Sequence, residues 1–89
     1  MSALTLEALA GLGEQLVSFI NDEVSTAPAP VASDTDLLLG GAVDSLGVVR
    51  ITQWLEDEYG LEVDPLDVTL ENFQTVDRIV EYLAGRNAA

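Results

Sequence analysis

The chain contains no cysteine and no histidine. These absences exclude disulfides, thiolate zinc sites, thiol nucleophiles and any serine–histidine hydrolytic pair. Basic residues are also scarce, with 3 against 16 acidic ones and a net charge of −13. A chain this acidic repels phosphate backbones and anionic lipid, so neither nucleic acid nor a membrane surface is an expected partner. No apolar run approaches the roughly 20 residues of a membrane span. Met1-Ser2-Ala3-Leu4-Thr5 lacks the basic region and apolar block of a secretory signal, so the cytoplasm is the expected location.

What is present points to a folded domain. The hydrophobic fraction is 48%, and the acids are spread along the chain rather than massed in a tail. The 89 residues suit one domain, spanning 1–89, with ends at about 1–4 and 86–89 expected to be flexible. A domain of this size buries only a little over ~60% of its unfolded surface, which leaves little room for a deep active site.

Apolar spacing predicts helices. Leu6, Leu9, Leu16, Ile20 and Val24 form a stripe from about Thr5 to Val24, flanked by Leu12, Val17 and Phe19, with Ser2 or Thr5 able to cap it. Pro28 and Pro30 break the pattern. A long connection to Val43 follows, in which Asp34 and Asp36 offer turn chemistry and Leu37, Leu38 and Leu39 are expected to pin the loop inward. A second helix should start at Asp44 or Ser45 and reach Glu58 or Tyr59, with Val48, Ile51, Leu55 and Tyr59 facing the core and Gly60 ending it. Leu61 and Val63 should pack inward from a connector. A short helix is expected within Asp67 to Phe73. Thr75 should cap a last helix built on Val76, Ile79, Val80 and Leu83, with Gly85 closing it and Arg86 onward fraying. The expected fold class is all-α: a small four-helix bundle, three main helices plus one short one, with a long loop between the first and second.

Candidate chemistry is sparse. Glu56-Asp57-Glu58 reads as a solvated helix face, and Asp34 with Asp36 lacks the calcium-loop pattern, so no metal site is expected. No nucleophile–base pair is evident, and the chain is not expected to be an enzyme. That leaves "GAVDSLG", Gly41 to Gly47. Either Asp44 or Ser45 can be the N-cap. If Asp44 caps, Ser45 becomes the first helical residue, its hydroxyl at a helix N-terminus where negative charge is favoured. Such a serine suits a phosphoryl-linked group.

Asp44-Ser45-Leu46 resembles the "DSL" core of acyl and peptidyl carrier proteins. The resemblance covers about Leu6 to Leu83: a short acidic helical chain, a serine opening the second main helix after a long loop, then Trp54-Leu55-Glu56-Asp57-Glu58-Tyr59-Gly60 and a last helix. It implies that a phosphopantetheinyl transferase moves 4'-phosphopantetheine from coenzyme A onto Ser45. The arm's thiol then carries an acyl or aminoacyl group as a thioester to partner enzymes, and the protein itself catalyses nothing. Asp44 would cap and present the serine. Leu46, Val49, Arg50 and Gln53 would face partners, while Ile51, Trp54 and Leu55 stay in the core or at its edge. Carriers of fatty-acid synthesis commonly have an acid where this chain has Gly47, and Gly41 lies three residues before Asp44 rather than two. Arg50 adds positive charge to a face often acidic in that group. With Thr69-Leu70-Glu71-Asn72-Phe73-Gln74-Thr75-Val76 downstream, the pattern looks more like a free-standing monomeric carrier loaded by an adenylating ligase. Such carriers serve synthases, condensation or tailoring enzymes in polyketide or non-ribosomal peptide pathways. The alternatives are a carrier in fatty-acid synthesis or D-alanylation, and an unmodified helical interaction module in which Ser45 only caps.

Overall fold

A computed structural model describes the backbone of residues 6–86 and the side chains of 11–86. Helix α1 spans Leu6–Phe19 and continues as a π-helical turn over Ile20–Val24. Then come α2, Ser45–Tyr59, a 3-10 turn at Pro65–Asp67, α3, Leu70–Phe73, and α4, Val76–Arg86. The described residues contain no strand, so the fold is the expected all-α bundle with one short helix and a long first loop. The caps expected from Ser2 or Thr5, and the side chains of Leu6 and Leu9, lie outside the described residues.

The core follows the apolar stripes. Leu12, Leu16 and Ile20 from α1, Ile51 and Leu55 from α2, Phe73 from α3 and Val76, Ile79 and Leu83 from α4 are all buried. Burying one such side chain contributes about 1.5–3 kcal/mol. Val24, Val48, Tyr59 and Val80, also expected inside, pack half-buried at the margin. At the edge Phe19 stacks on Trp54, ring centroids 5.0 Å apart, and Trp54 meets Tyr59 edge-on.

The local signals explain where helices stop. Gly60 adopts φ 65, the left-handed conformation that ends α2, and its N–H bonds back to Glu56 O. Leu61 and Val63 are buried, as the connector's alternation predicts. Thr75 Oγ1 accepts from Arg78 N at 3.0 Å at the start of α4, and Thr69 Oγ1 accepts from Asn72 N at the start of α3.

Two expectations at α4 need correction. The helix runs through Gly85 to Arg86 rather than closing at the glycine. Arg86 is anchored rather than frayed: its Nε donates to Glu62 O at 3.0 Å and its Nη1 lies 3.4 Å from the Asp67 carboxylate. A long guanidinium reaches the carbonyl of a connector that only the fold brings near.

The long loop is sewn down. The Asn21 amide donates to Val31 O at 3.1 Å and accepts from Val31 N at 2.8 Å, so one side chain clamps a buried valine from both sides. Leu37 N donates to Gln74 O, Val43 N to Leu37 O, and Asp77 N to Ser33 O. Asp36 gathers the turn, its Oδ1 accepting from Leu38 N and Leu39 N and its Oδ2 from Gln74 Nε2. This turn overturns the expectation that three leucines pin the loop. Leu37 is buried and Leu38 half-buried, but Leu39 is 71% exposed, because the tight turn about Asp36 sends its side chain outward.

The hydrogen bond from Gln74, with those from the Leu39, Gly40 and Leu38 amides, holds the Asp36 carboxyl below its ordinary value of 3.8. A lowered native value means that the carboxylate supports the loop above about pH 4 and that this support is lost as pH falls through the lower native value. An NMR titration of the Asp36 carboxyl carbon should give a midpoint below that of an unstructured aspartate. Asp36→Ala should raise amide exchange at Leu38, Leu39 and Gly40 at neutral pH.

Candidate functional site

The site is built by the start of α2. Asp44 is extended, φ −94 and ψ −175, and its carboxylate accepts from Gly47 N at 2.8 Å while its carbonyl accepts from Val48 N. Asp44 is therefore the cap, and Ser45 is the first helical residue. The Ser45 side chain is exposed, and among the described residues its hydroxyl has no hydrogen-bond partner.

Gly47 shows why the turn is so tight. A Cβ there would sit 2.8 Å from Val24 Cγ1, 2.9 Å from Val43 Cγ1 and 3.3 Å from Asp44 Oδ1. The π-helical turn ending α1 brings Val24 into this contact. Any larger residue at this position must displace a valine of the loop or of the turn.

A groove of about 490 Å³ opens beside Ser45. Val48, Val49 and Thr52 of α2 form one wall, and Val63, Val68 and Leu70 belong to the other. No lining residue is charged, although 16 of the chain's residues are acidic. Ser45 itself lines the groove.

The other predicted site residues divide. Leu46, Val49 and Gln53 are exposed at i, i+3 and i+7, one stripe along α2, with Leu46 at 68% and Val49 at 49%. Arg50, four residues after Leu46 and three before Gln53, is also exposed and ties back to the turn that ends α1. Its Nη1 donates to Glu23 O and its Nη2 lies 3.6 Å from the Glu23 carboxylate. Both partners of this pair are partly solvated, so it contributes about 0–1 kcal/mol.

Sequence reading missed the outer wall and rim. Leu39, Leu66 and Leu70 are exposed apolar residues, and Leu66 at 86% is the most exposed of them. Leucine between aspartates in Asp64-Pro65-Leu66-Asp67 was the available signal, since a tight turn of that composition cannot bury every side chain.

The arrangement offers an exposed hydroxyl and an uncharged groove. The chain has no histidine or cysteine to serve as base or nucleophile, and the described residues hold no cluster of three metal-ligating side chains. It does fit a phosphodiester-linked arm. An unbonded exposed hydroxyl stands in the first turn of a helix, where the dipole favours an anion, and an uncharged groove begins at the same residue. Bound there, a phosphopantetheine arm would supply the thiol that the sequence lacks.

Comparison with known proteins agrees with this geometry. The family described as phosphopantetheine attachment site matches residues 14–83. The chain is 30% identical over 76 residues to a D-alanyl carrier protein of Abiotrophia defectiva, covering 85% of this chain and 96% of that protein. It is 31% identical over 77 residues to an acyl carrier protein of Amoebophilus asiaticus, covering 86% and 94%. An acyl carrier protein of Renibacterium salmoninarum is 30% identical over 82 residues, covering 92% and 94%. Carriers of this family are non-catalytic and work with a phosphopantetheinyl transferase and with the enzymes they supply. A capped helix start, an uncharged groove and a match over most of the chain agree: the chain belongs to the carrier-protein family, whose members hold 4'-phosphopantetheine covalently.

Proposed function

We propose that Ser45 carries the arm and that the loaded protein serves biosynthesis of the polyketide or non-ribosomal peptide type, receiving its cargo from an adenylating ligase. In the transfer, Ser45 Oγ bonds to the phosphorus that bears pantetheine. The anhydride bond to the adenosine bisphosphate of coenzyme A breaks, and the serine proton is released. The observation that carries the attachment is the division of labour at the helix start: Asp44 supplies the cap, so the Ser45 hydroxyl is exposed and free to react.

Gly47 supports the pathway reading. Carriers of fatty-acid synthesis commonly place an acid here, whereas a Cβ at this position would meet Val24 and Val43 at 2.8 Å and 2.9 Å, so a valine must shift to admit one. A D-alanyl carrier protein stands among the relatives beside the acyl carrier proteins. Downstream partners would meet the Leu46–Val49–Gln53 stripe. The reading includes a cytoplasmic monomer: a net charge of −13 makes copies repel, and no helix among the described residues is long and apolar enough to cross a membrane.

Three outcomes are expected. Incubation with coenzyme A and a broad-specificity transferase should add one phosphopantetheinyl mass, and Ser45→Ala should abolish the gain while leaving the circular dichroism spectrum unchanged. A mass gain that survives the substitution overturns the assignment. Gly47→Glu should destabilise the fold by about 1–3 kcal/mol in urea unfolding, because the α2 start is already crowded. Transferase kcat/KM should fall as salt rises, since an acidic chain is steered toward a basic partner; a rate flat with ionic strength removes electrostatics from recognition.

A further inference from the structure

Helix α1 changes type at its end. Ser25 N donates to Ile20 O at 2.7 Å, an i→i+5 bond, and the turn Ile20–Val24 is π-helical. Such turns are rare and occur mostly at functional sites. Nothing local demands one here: the turn holds no glycine or proline, and Pro28 lies beyond it. An uninterrupted α-helix would carry the following residues about 100° further round. The register is therefore set by what the turn touches.

What it touches is the attachment segment, from both sides. Glu23 O accepts from Arg50 Nη1, and the Glu23 carboxylate lies 3.6 Å from Arg50 Nη2. Val24 Cγ1 packs on Gly47, where a Cβ would lie 2.8 Å away. Thr26 N donates to Ala42 O at 3.0 Å, and Thr26 Oγ1 to Gly41 O at 3.3 Å. Glu23, Val24 and Thr26 thus meet Arg50, Gly47 and Ala42 in reverse order, and Ser45 lies between the last two. The Asp44 cap shapes this segment locally, and the brace from the end of α1 sets where it stands.

Arg50 supplies what the brace lacks. Asp22 and Glu23 put two acids at the end of a helix, where the dipole favours a cation and the last carbonyls go unpaired. The turn has no base of its own. The Arg50 fork answers both needs, one prong on a carbonyl and one beside a carboxylate.

We infer that Arg50 is a positioning residue for attachment of the arm: through Glu23 it locks the π-helical turn against α2, and the locked turn holds the segment Gly41 to Gly47 that presents Ser45 to the transferase. The inference rests on Ser45 as the attachment residue. Transfer needs the serine oxygen held within reach of the phosphorus, and a misplacement of about 1 Å can cost ~100-fold in rate.

The test follows phosphopantetheine transfer from coenzyme A to the whole protein in single turnovers, over a range of transferase concentrations. Wild-type protein that gains no mass, or a gain that survives Ser45→Ala, overturns the attachment reading itself. With attachment at Ser45 established, Arg50→Gln should lower the saturating rate about fivefold, the factor one net hydrogen bond supplies. It should not raise the half-saturating concentration, because the added negative charge favours a basic transferase. An unchanged saturating rate overturns the inference while Ser45 stands, and if the half-saturating concentration rises instead, Arg50 is a partner contact. Arg50→Lys keeps the charge but loses the fork, and should stay slow; full speed reduces the role of Arg50 to its charge and overturns the inference. Glu23→Gln should cost part of the same factor, and the double variant no more than Arg50→Gln alone; additive losses overturn the route through Glu23. Amide exchange gives a readout without the transferase. The Thr26 and Gly47 amides should exchange faster in Arg50→Gln while the circular dichroism spectrum stays the same, and unchanged exchange at both overturns the brace.

Discussion

The start of α2 depends on one hydrogen bond, from Gly47 N to the Asp44 carboxylate. It satisfies one of the amides a helix leaves unpaired at its N-terminus, fixes the first turn and decides which of two adjacent cap-type residues is left over. Two valines crowd the same turn at distances no Cβ would allow. Cap and crowding act together. The cap sets the direction in which α2 leaves the loop, and the missing Cβ lets the end of α1 close against it. Ser45 is left exposed because Asp44 beside it supplies the cap.

Around that point the loop and the connector behave as parts of the bundle rather than as links between helices. Asn21 clamps Val31 from both sides, and Asp36 ties its turn to Gln74 between α3 and α4. These contacts make the segment leading into the capped turn a fixed approach. The opposite wall of the groove is secured by a second set. Tyr82 OH donates to the Asp67 carboxylate at 2.7 Å, and Arg86 reaches the same carboxylate and Glu62 O. Both walls are thus braced from elements distant in sequence, α1 and α4.

Much of this was legible in the chain. Asp44 before Ser45, Gly60 after Tyr59, Thr75 before Val76 and the alternation at Leu61 and Val63 are local signals, and local hydrogen-bond chemistry reads them correctly. What was not legible has a common cause. The pairing of Arg50 with Glu23 joins residues 27 apart in sequence and forms only with the π-helical turn. Arg86 and Gly85 were read as an ending because the carbonyl of Glu62 is invisible from the sequence around them. Leu39 was placed inside because apolar character marks burial on average, while a side-chain turn at Asp36 sets its direction. The far wall of the groove, with Val68, Thr69 and Leu70, follows from how a 3-10 turn and a four-residue helix sit against α2, which no periodicity encodes.

The distribution of charge completes the argument. Two of the three cations, Arg50 and Arg86, are paired within the described residues. Each joins a helix to an irregular segment: Arg50 links α2 to the π-helical turn, and Arg86 links α4 to the connector. Both pairs are partly solvated and contribute little energy singly. Their effect is on arrangement: they tie two irregular segments to the helices. The exposed face of α2 presents an apolar stripe, with Leu46 and Val49, and a helix end rich in acids. The groove lining, in contrast, carries no charge at all. The charged surface and the uncharged groove beside Ser45 are therefore separate features of the molecule, and a substitution can alter one field without altering the other.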